Sequence, residues 1–160
     1  LNLNLNPVAL CTTCITDKST SAVHHNGMTV GWVIWLSAYP PLVGVSIAPE
    51  RFSYHMIDEG GFFGITYIHK SQTKLAGRFG YKSGKDHDKF EGMVEGKDFF
   101  EAPHSKLRLI KPCVAALECK VVNKVVTGDH VFFVGEVVSS WKGDFPAKEM
   151  LSCQGPALVV

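Results

Sequence analysis

Apolar and polar residues alternate along most of this chain, and β-branched residues are frequent where they do. A period of two with many Val, Ile and Thr residues is typical of strands that bury one face. The predicted strands are residues 7–16, 20–25, 29–37, 42–48, 62–68, 113–126 and 130–141. The chain also ends on an apolar run, Leu158-Val159-Val160, that has the character of a strand. The pattern therefore predicts a mainly β protein.

Turn residues separate the predicted strands. Pro40-Pro41 divides the third strand from the fourth, because proline cannot donate to a strand ladder. Thr127-Gly128-Asp129 separates the last two long strands and predicts a hairpin. The segment Asn26-Gly27-Met28-Thr29 predicts a tight, amide-rich turn between the second and third strands.

The last two strands differ in their patterns. In 113–126, Glu118, Lys120 and Lys124 alternate with apolar residues, which predicts a half-solvated strand. The stretch Val131–Val138 is apolar at nearly every position, which predicts burial on both faces. A closed or partly closed barrel packed against a second copy would produce that burial.

Helical signals are few. Pro49 and Glu50 open a short helix that ends at Gly60-Gly61, the usual order of proline, acidic residue and glycine. A second short helix is predicted over 71–78 and a turn over 86–90. Residues 91–111 have no clear period and predict a surface excursion.

Composition limits the possible classes of protein. The 160 residues, 46% of them hydrophobic, predict one domain over residues 1–160. Charged residues make up 19%, below the usual ~25%, which favours a surface partly covered by another subunit. The net charge of +1 does not favour nucleic acid or an anionic membrane as a partner. We expect no signal peptide, because the start lacks a basic region, and the odd count of five cysteines favours a reducing cytoplasm.

Cys11 and Cys14 form a CxxC, the pattern of some zinc and thiol redox sites. Their segment is a predicted strand, so side chains three positions apart face opposite sides of the sheet. No second CxxC completes a zinc site, and the histidines lack partners at ligand spacing. We therefore predict no metal site.

Three segments have the composition of anion or heterocycle sites. A strand runs into the helix near Pro49, where Ser46, Arg51, Ser53 and a helix N-terminus suit a phosphate. Residues 81–90 combine Ser83, a glycine and three lysines, and a solvated turn is the alternative. Residues 25–32 offer backbone amides for the edge of a planar heterocycle, with apolar contact from Met28 and Trp32.

These segments, in this order, resemble the flavin reductase-like FMN-binding family, from about residue 7 to 141. The Ala76–Gly80 segment is most similar to the ferric reductase branch of the family. The motifs that carry the resemblance are Pro7-Val8-Ala9-Leu10, Asn26-Gly27-Met28-Thr29, Pro40-Pro41-Leu42-Val43, Gly61-Phe62-Phe63, Ser83-Gly84 with Asp88-Lys89-Phe90, and Gly128-Asp129-His130 followed by Phe133-Val134-Gly135-Glu136-Val137.

The resemblance implies a split β-barrel of Greek-key type, a homodimer, and FMN, with FAD possible, at the subunit interface. His130 would lie near the flavin face where nicotinamide or an acceptor docks; the alternative is a turn residue bonded to its own backbone. Asn26, Gly27, Met28, Thr29, Val30, Gly31 and Trp32 would line the flavin ring, Ser46, Ile47, Ala48, Arg51 and Ser53 would hold ribityl and phosphate, and Ser83 and Lys89 would close over the cofactor.

The implied reaction is hydride transfer from NAD(P)H to the flavin and on to an acceptor, which needs no acid–base pair from the protein. The resemblance leaves four readings open. These are an NAD(P)H-dependent flavin reductase, a flavoredoxin-like electron carrier that never binds nicotinamide, a ferric-complex reductase and a non-enzymatic flavin-binding module. Ferric reductase types are expected to carry a cysteine where this sequence has Ser46.

Overall fold

The computed structural model describes residues 5–154, and the predicted strand at Leu158–Val160 lies outside them. The described part is mainly β, as predicted, with two short α-helices. The strands are β1 (Leu5–Pro7), β2 (Ala9–Thr16), β3 (Val23–Val30), β4 (Val33–Ala38), β5 (Pro41–Ile47), β6 (Phe62–Tyr67), β7 (Phe99–Glu101), β8 (Arg108–Ile110), β9 (Ala115–Thr127), β10 (His130–Lys142) and β11 (Ser152–Gln154); the helices are α1 (Phe52–Gly60) and α2 (Thr73–Gly80), with a 3-10 turn over Ala147–Glu149.

Seven of these strands form one sheet in the order β3-β2-β6-β9-β10-β5-β4. Its two edge strands, β3 and β4, are consecutive in the chain and joined only by Gly31 and Trp32. Two residues span about 11 Å from Val30 to Val33, so the sheet must curl until its edges nearly meet. The result is a split β-barrel whose opening lies between β3 and β4, and the predicted fold class is confirmed.

Alternate residues of the barrel strands fill its interior, since successive side chains on a strand point to opposite faces. Ile57 of α1 closes one end of this core. The largest fully buried interior side chains are Ile47, Ile57, Ile65, Phe63 and Phe133.

The segment 91–111 is not the surface excursion that its irregular pattern predicts. It contains the hairpin β7–β8, and Leu107, Leu109 and Ile110 are almost fully buried. Phe99 packs with Phe79 of α2 and with Phe90 in a second core on the outside of the barrel. The expectation was wrong because two strands of three residues are too short to show a period.

Two predicted turns are confirmed and one is wrong. β5 begins at Pro41, and a two-residue turn, Gly128-Asp129, joins β9 to β10. By contrast, Asn26–Thr29 is no turn but the middle of β3, paired with Thr13–Leu10 of β2. A Cβ on Gly27 would lie 2.9 Å from the Phe79 ring, so this glycine permits close packing instead of a turn.

The two long strands are less regular than predicted. Within Val131–Val138 only Val131, Phe133 and Gly135 are buried, all on one face, and the remaining residues are partly exposed within the chain. Glu118 is fully buried, contrary to the predicted half-solvated strand, because its Oε1 accepts hydrogen bonds from the backbone of His104 and Ser105 and from the Ser105 hydroxyl. Residues 86–90 form turns and bends without a helix.

α1 begins at Phe52, slightly later than predicted, and ends at Gly60. The C-cap residue that follows, Gly61, adopts a left-handed φ of 70°. Among residues 5–154, no helix is long and apolar enough to cross a membrane.

Candidate functional site

A cleft of about 560 Å³ opens at the split of the barrel. Its walls are the end of β3, the Gly31-Trp32 link, the β5–α1 junction, the end of α2 with the following loop, and the start of β10. The structure brings together all the predicted site residues except Gly27: Asn26, Met28, Thr29, Val30, Gly31, Trp32, Ser46, Ile47, Ala48, Arg51, Ser53, Ser83, Lys89 and His130 line this cleft.

Gly27 lies behind the lining, on an edge strand whose outer backbone groups have no neighbouring strand. Its carbonyl oxygen accepts a hydrogen bond of 2.7 Å from Nζ of Lys89. The same ammonium donates to the Phe79 carbonyl at 2.8 Å. Lys89 is 7% exposed, and burial lowers the pKa of its amine from 10.5 to about 8. Lys89 therefore ties β3 to the end of α2.

Arg78 strengthens this attachment from α2. Its Nε donates to the Lys89 carbonyl at 2.7 Å, and Thr29 of β3 donates its hydroxyl to the Ala76 carbonyl at 2.6 Å. Of these bonds only that from Lys89 reaches the outer backbone of β3, at the Gly27 carbonyl. The others fasten α2 to the following loop and to the Thr29 side chain.

Asn26 and Ser53 form a buried polar pair at the floor of the cleft. Nδ2 of Asn26 donates to Oγ of Ser53 at 2.9 Å, and both residues are 2% exposed. Oδ1 of Asn26 is buried, with no hydrogen-bond partner among the described residues. A Cβ added to Gly84 would lie 1.9 Å from this oxygen, so the loop closes over Asn26 only because residue 84 is glycine.

The N-terminus of α1 forms one end of the cleft. Arg51 is the N-cap residue in extended conformation, and its backbone N–H donates to the Ala48 carbonyl at 3.0 Å. Its side chain is exposed, and no ion pair of its guanidinium is formed within residues 5–154. The first N–H groups of a helix lack intrahelical partners and carry positive potential. An anion is the ligand best suited to this end.

Trp32 and His130 form the rim of the cleft, with ring centroids 4.7 Å apart. Nδ1 of His130 is 2.7 Å from Oδ1 of Asp129. This hydrogen bond lowers the pKa of the Asp129 carboxyl. The His130 ring is therefore held by the Asp129 side chain and by Trp32, rather than by its own backbone.

Several cleft residues were not named individually as site residues, although Tyr81, Lys82 and Gly84 lie in the predicted 81–90 segment. Gly80 touches Thr29, and Tyr81 is 90% exposed at the rim. The Ala76–Gly80 segment carries a family resemblance, but its pattern does not show that the end of α2 turns into the cleft. The additional lining residues are Asn6, Glu50, Phe52, Phe79, Gly80, Tyr81, Lys82 and Gly84.

The CxxC cysteines face opposite sides of β2, as predicted. Cys11 lies in the barrel interior, and Cys14 packs against the outer core of the β7–β8 region. Burial raises the pKa of the Cys11 thiol, and that of Cys14 to about 11. Both are poor nucleophiles at neutral pH, because the thiolate is the reactive form.

Comparison with known proteins identifies the family. The chain matches the family model of the flavin reductase like domain over residues 3–155, and it therefore belongs to that family. An FMN-binding protein from Thermus thermophilus, solved with bound 1-cyclohex-2-enone, has a TM-score of 0.76 and 27% identity, with 88% of this chain and 72% of that chain covered. Flavoredoxin from Methanosarcina acetivorans has a TM-score of 0.73 and 28% identity, covering 90% and 74%.

A ferric-chelate reductase (NAD(P)H) from Archaeoglobus fulgidus is 27% identical over 116 residues, which are 71% of this chain. The chain spans 66% of the length of that relative.

Proposed function

We propose that this protein binds FMN in the cleft and acts as an NAD(P)H-dependent flavin reductase, or as a reductase of ferric complexes. The observation that carries the proposal is the cleft itself. The cleft joins a helix N-terminus suited to an anion, with Arg51 beside it, to a wall of apolar and amide groups from β3. FMN has a matching arrangement, with a phosphate at one end, a polar ribityl chain in the middle and a flat ring at the other end.

The residues present fit this cofactor. Oδ1 of Asn26 is a buried acceptor without a donor in the described chain, and a flavin N–H or ribityl hydroxyl supplies donors. The phosphate would be held by Arg51 and the backbone of the α1 N-terminus. Ser46, Ile47 and Ala48 would contact the ribityl chain. The ring would lie against Asn26, Met28, Thr29, Val30, Gly31 and Trp32. Ser83 would cover the cofactor from the loop, while Lys89 supports the inner wall through its bonds to the Gly27 and Phe79 carbonyls.

The protein contributes binding, orientation and electrostatics. When bound, FMN supplies the redox chemistry, accepting a hydride from NAD(P)H and passing electrons to an acceptor. His130 would position the nicotinamide or the acceptor at the rim, because its ring lies at the mouth of the cleft. Its role is to bind and orient, so it need not transfer a proton.

An absorbance spectrum of the purified protein, followed by anaerobic addition of NADH and then NADPH, tests this proposal. The expected result is a flavin spectrum that bleaches with at least one nicotinamide and returns on adding free flavin or a ferric chelate. A protein that has no flavin and binds none added to it would contradict the proposal.

The second candidate is a flavoredoxin-like electron carrier without nicotinamide turnover. The likeness to flavoredoxin supports it, as does the exposed Trp32 at the rim, which is 45% exposed and available to a protein partner. A flavin that is reduced by dithionite but not by NADH or NADPH would favour this candidate.

We also propose that the protein is a homodimer. Ile34, Gly44, Val134 and Phe132 form an outward apolar strip across β4, β5 and β10, where Ile34 pairs with Gly44 and Gly44 with Val134. Ile34 is 56% exposed, and Phe132 covers Gly44. An apolar strip of this kind is typical of obligate subunit interfaces. Because β4 begins at the cleft, a second copy seated here would lie beside the flavin.

Light scattering at micromolar protein tests the dimer. The wild type is expected at twice the chain mass, and Ile34→Lys is expected to shift toward the monomer because it places a charge in the interface. Val94→Lys is the matched control, since Val94 is 55% exposed in a different region. A monomeric wild type would contradict the proposal.

We place the protein in the cytoplasm. The support is that Cys11, Cys14, Cys113 and Cys119 are free and buried in the structure, as expected in a reducing compartment.

A further inference from the structure

A second cavity, of about 730 Å³, lies beside the loop that follows α2. Its walls are the end of β2, the start of β3, one side of α1, residues 84–88 and Arg108 of β8. Phe52 and Gly84 border both this cavity and the flavin cleft, and the rest of its lining belongs to it alone. Its volume lies in the ~300–1,000 Å³ range of small-molecule sites, and the proposed function leaves it without a role.

Arg108 places an unneutralised positive charge in one wall of the second cavity. Its guanidinium carbon lies 4.7 Å from the Phe99 ring centroid and 5.4 Å from that of Phe90. Within residues 5–154 Arg108 forms no ion pair, and its Nε is buried without a hydrogen-bond acceptor. A partly buried charge is costly unless a group of opposite sign joins it. An anion is therefore the group that best completes this wall.

The remaining walls suit a flat apolar body. Ile15, Val23, Phe52 and Met56 line the cavity with apolar side chains. The imidazole of His25 lines it as well and is uncharged at neutral pH, because burial, and next the nearby guanidinium, lowers its pKa from 6.5 to about 4. Flat rings and a thioether are good stacking surfaces for an aromatic ring. The ligand that fits is an anion attached to such a ring.

The charges around the cavity favour a single negative charge on the ligand. Asp86 and Asp88 line it together with Lys85 and Arg108, so the two carboxylates balance the two cations. A ligand with two negative charges would meet the carboxylates without further cations to offset them. The planar fork of a guanidinium also matches the two oxygens of a carboxylate. A monocarboxylate therefore suits the cavity better than a phosphate dianion.

We propose that the second cavity binds a small aromatic monocarboxylate. The carboxylate pairs with Arg108, and the ring packs among Phe52, Met56 and His25. This assigns the protein a ligand of a class different from flavin and nicotinamide, held beside the flavin cleft and outside it.

NMR titration of the isotope-labelled protein with benzoate, repeated after saturation with FMN, tests the proposal. Amide shifts are expected at His24, His25 and residues 84–88, which line the second cavity, and they should persist with FMN present. Benzamide has the shape of benzoate without its charge, and acetate has the charge without the ring. Each is expected to bind about tenfold more weakly than benzoate, since each lacks either the charge-assisted pair or the stacked ring.

Two variants are expected to change the affinity for benzoate in opposite directions. Arg108→Met keeps an apolar stem against the Phe90 and Phe99 rings and should weaken binding about tenfold or more. Asp86→Asn removes an exposed negative charge of the cavity and should tighten binding roughly two- to fivefold. A gain in affinity does not arise from misfolding, so the second variant decides even where the first is unstable.

Glu95→Gln is the matched control for Asp86→Asn, because Glu95 is an exposed carboxylate that lines neither cavity. It should bind benzoate as the wild type does.

The outcomes separate this inference from the proposed function. Benzamide binding as tightly as benzoate, or an affinity that neither variant changes, would overturn the inference. Loss of the benzoate shifts on adding FMN would also overturn it, because the carboxylate would then lie in the flavin cleft. Displacement of benzoate by NADP⁺ would instead assign Arg108 to the nicotinamide cofactor. Failure to bind FMN, with benzoate still bound and still sensitive to Arg108→Met, would refute the proposed function alone.

Discussion

The two walls of the cleft differ in how firmly the fold holds them. On the inner wall, Asn26 and Ser53 are 2% exposed and Lys89 is 7% exposed, and each has hydrogen bonds to another element. On the rim, Trp32 is 45% exposed and Tyr81 90% exposed. Buried side chains that are hydrogen-bonded to another element fix the geometry of the wall, whereas exposed rings can contact molecules that arrive from solvent. The inner wall is therefore suited to retaining a tightly bound ligand. The rim is suited to transient contact with substrates.

Lys89→Met gives the largest expected effect, because it removes the tie between β3 and α2. The substitution leaves the carbonyls of Gly27 and Phe79 buried without their donor. The expected loss in the free energy of unfolding is about 2–4 kcal/mol. Urea denaturation measures it, with Lys97→Met at an exposed lysine as the control. A loss no larger than that of the control would show that this tie does not stabilise the inner wall.

The pH dependence of unfolding in the wild type and in Lys89→Met gives a further test of the inner wall. The folded pKa of Lys89, about 8, lies below the ordinary value of 10.5. Between about pH 8 and 10.5 the unfolded chain therefore binds a proton that the folded chain has released, and stability from this group rises with pH. The difference in unfolding free energy between the wild type and Lys89→Met should grow across that window. A constant difference would indicate an ordinary pKa.

Arg51→Ala tests the end of the cleft that is suited to an anion. Loss of a charge-assisted contact is expected to cost about 1.5–3 kcal/mol, roughly 10- to 150-fold in affinity for FMN. Riboflavin, which has no phosphate, should lose little. Equal losses for both flavins would mean that Arg51 acts through the fold.

His130→Ala tests the rim and has the smallest expected effect. Flavin affinity and unfolding free energy should stay close to wild type. Reduction by NAD(P)H, or reoxidation by the acceptor, should slow about tenfold, which is about 1.4 kcal/mol of barrier. Stopped-flow measurement of the reduction and reoxidation rates tests this prediction. Unchanged rates with flavin bound would assign His130 a structural role only.

The sequence predicts this fold well where local chemistry determines the structure. Pro40-Pro41 and Gly128-Asp129 divide strands where predicted, because their backbone constraints act within a few residues. The Asn26–Thr29 turn failed for the opposite reason. Whether Gly27 turns the chain or admits the Phe79 ring depends on a helix some fifty residues later, and a local pattern does not carry that information.

The candidate site shows the same limit. Three of the family motifs supply residues that line the cleft, among them Asn26, Ser83 and His130. Phe79 and Gly80 were missed, because the contact of the Phe79 ring with Gly27 and the approach of Gly80 to Thr29 depend on how α2 packs on β3. The burial of Glu118 was missed likewise, since its partners at His104 and Ser105 come from a loop of a different region.

The exposed edge strand β4 carries a risk of aggregation. An edge with Ile34, Trp35 and Leu36 exposed is a template on which further chains can stack without limit. Three features oppose this: the strand is six residues long, its register with β5 is irregular between Trp35 and Ser37, and Pro40 follows it. A short, irregular edge strand pairs poorly with the same strand of another copy. This surface therefore favours association with a single complementary partner over open-ended stacking into a fibre.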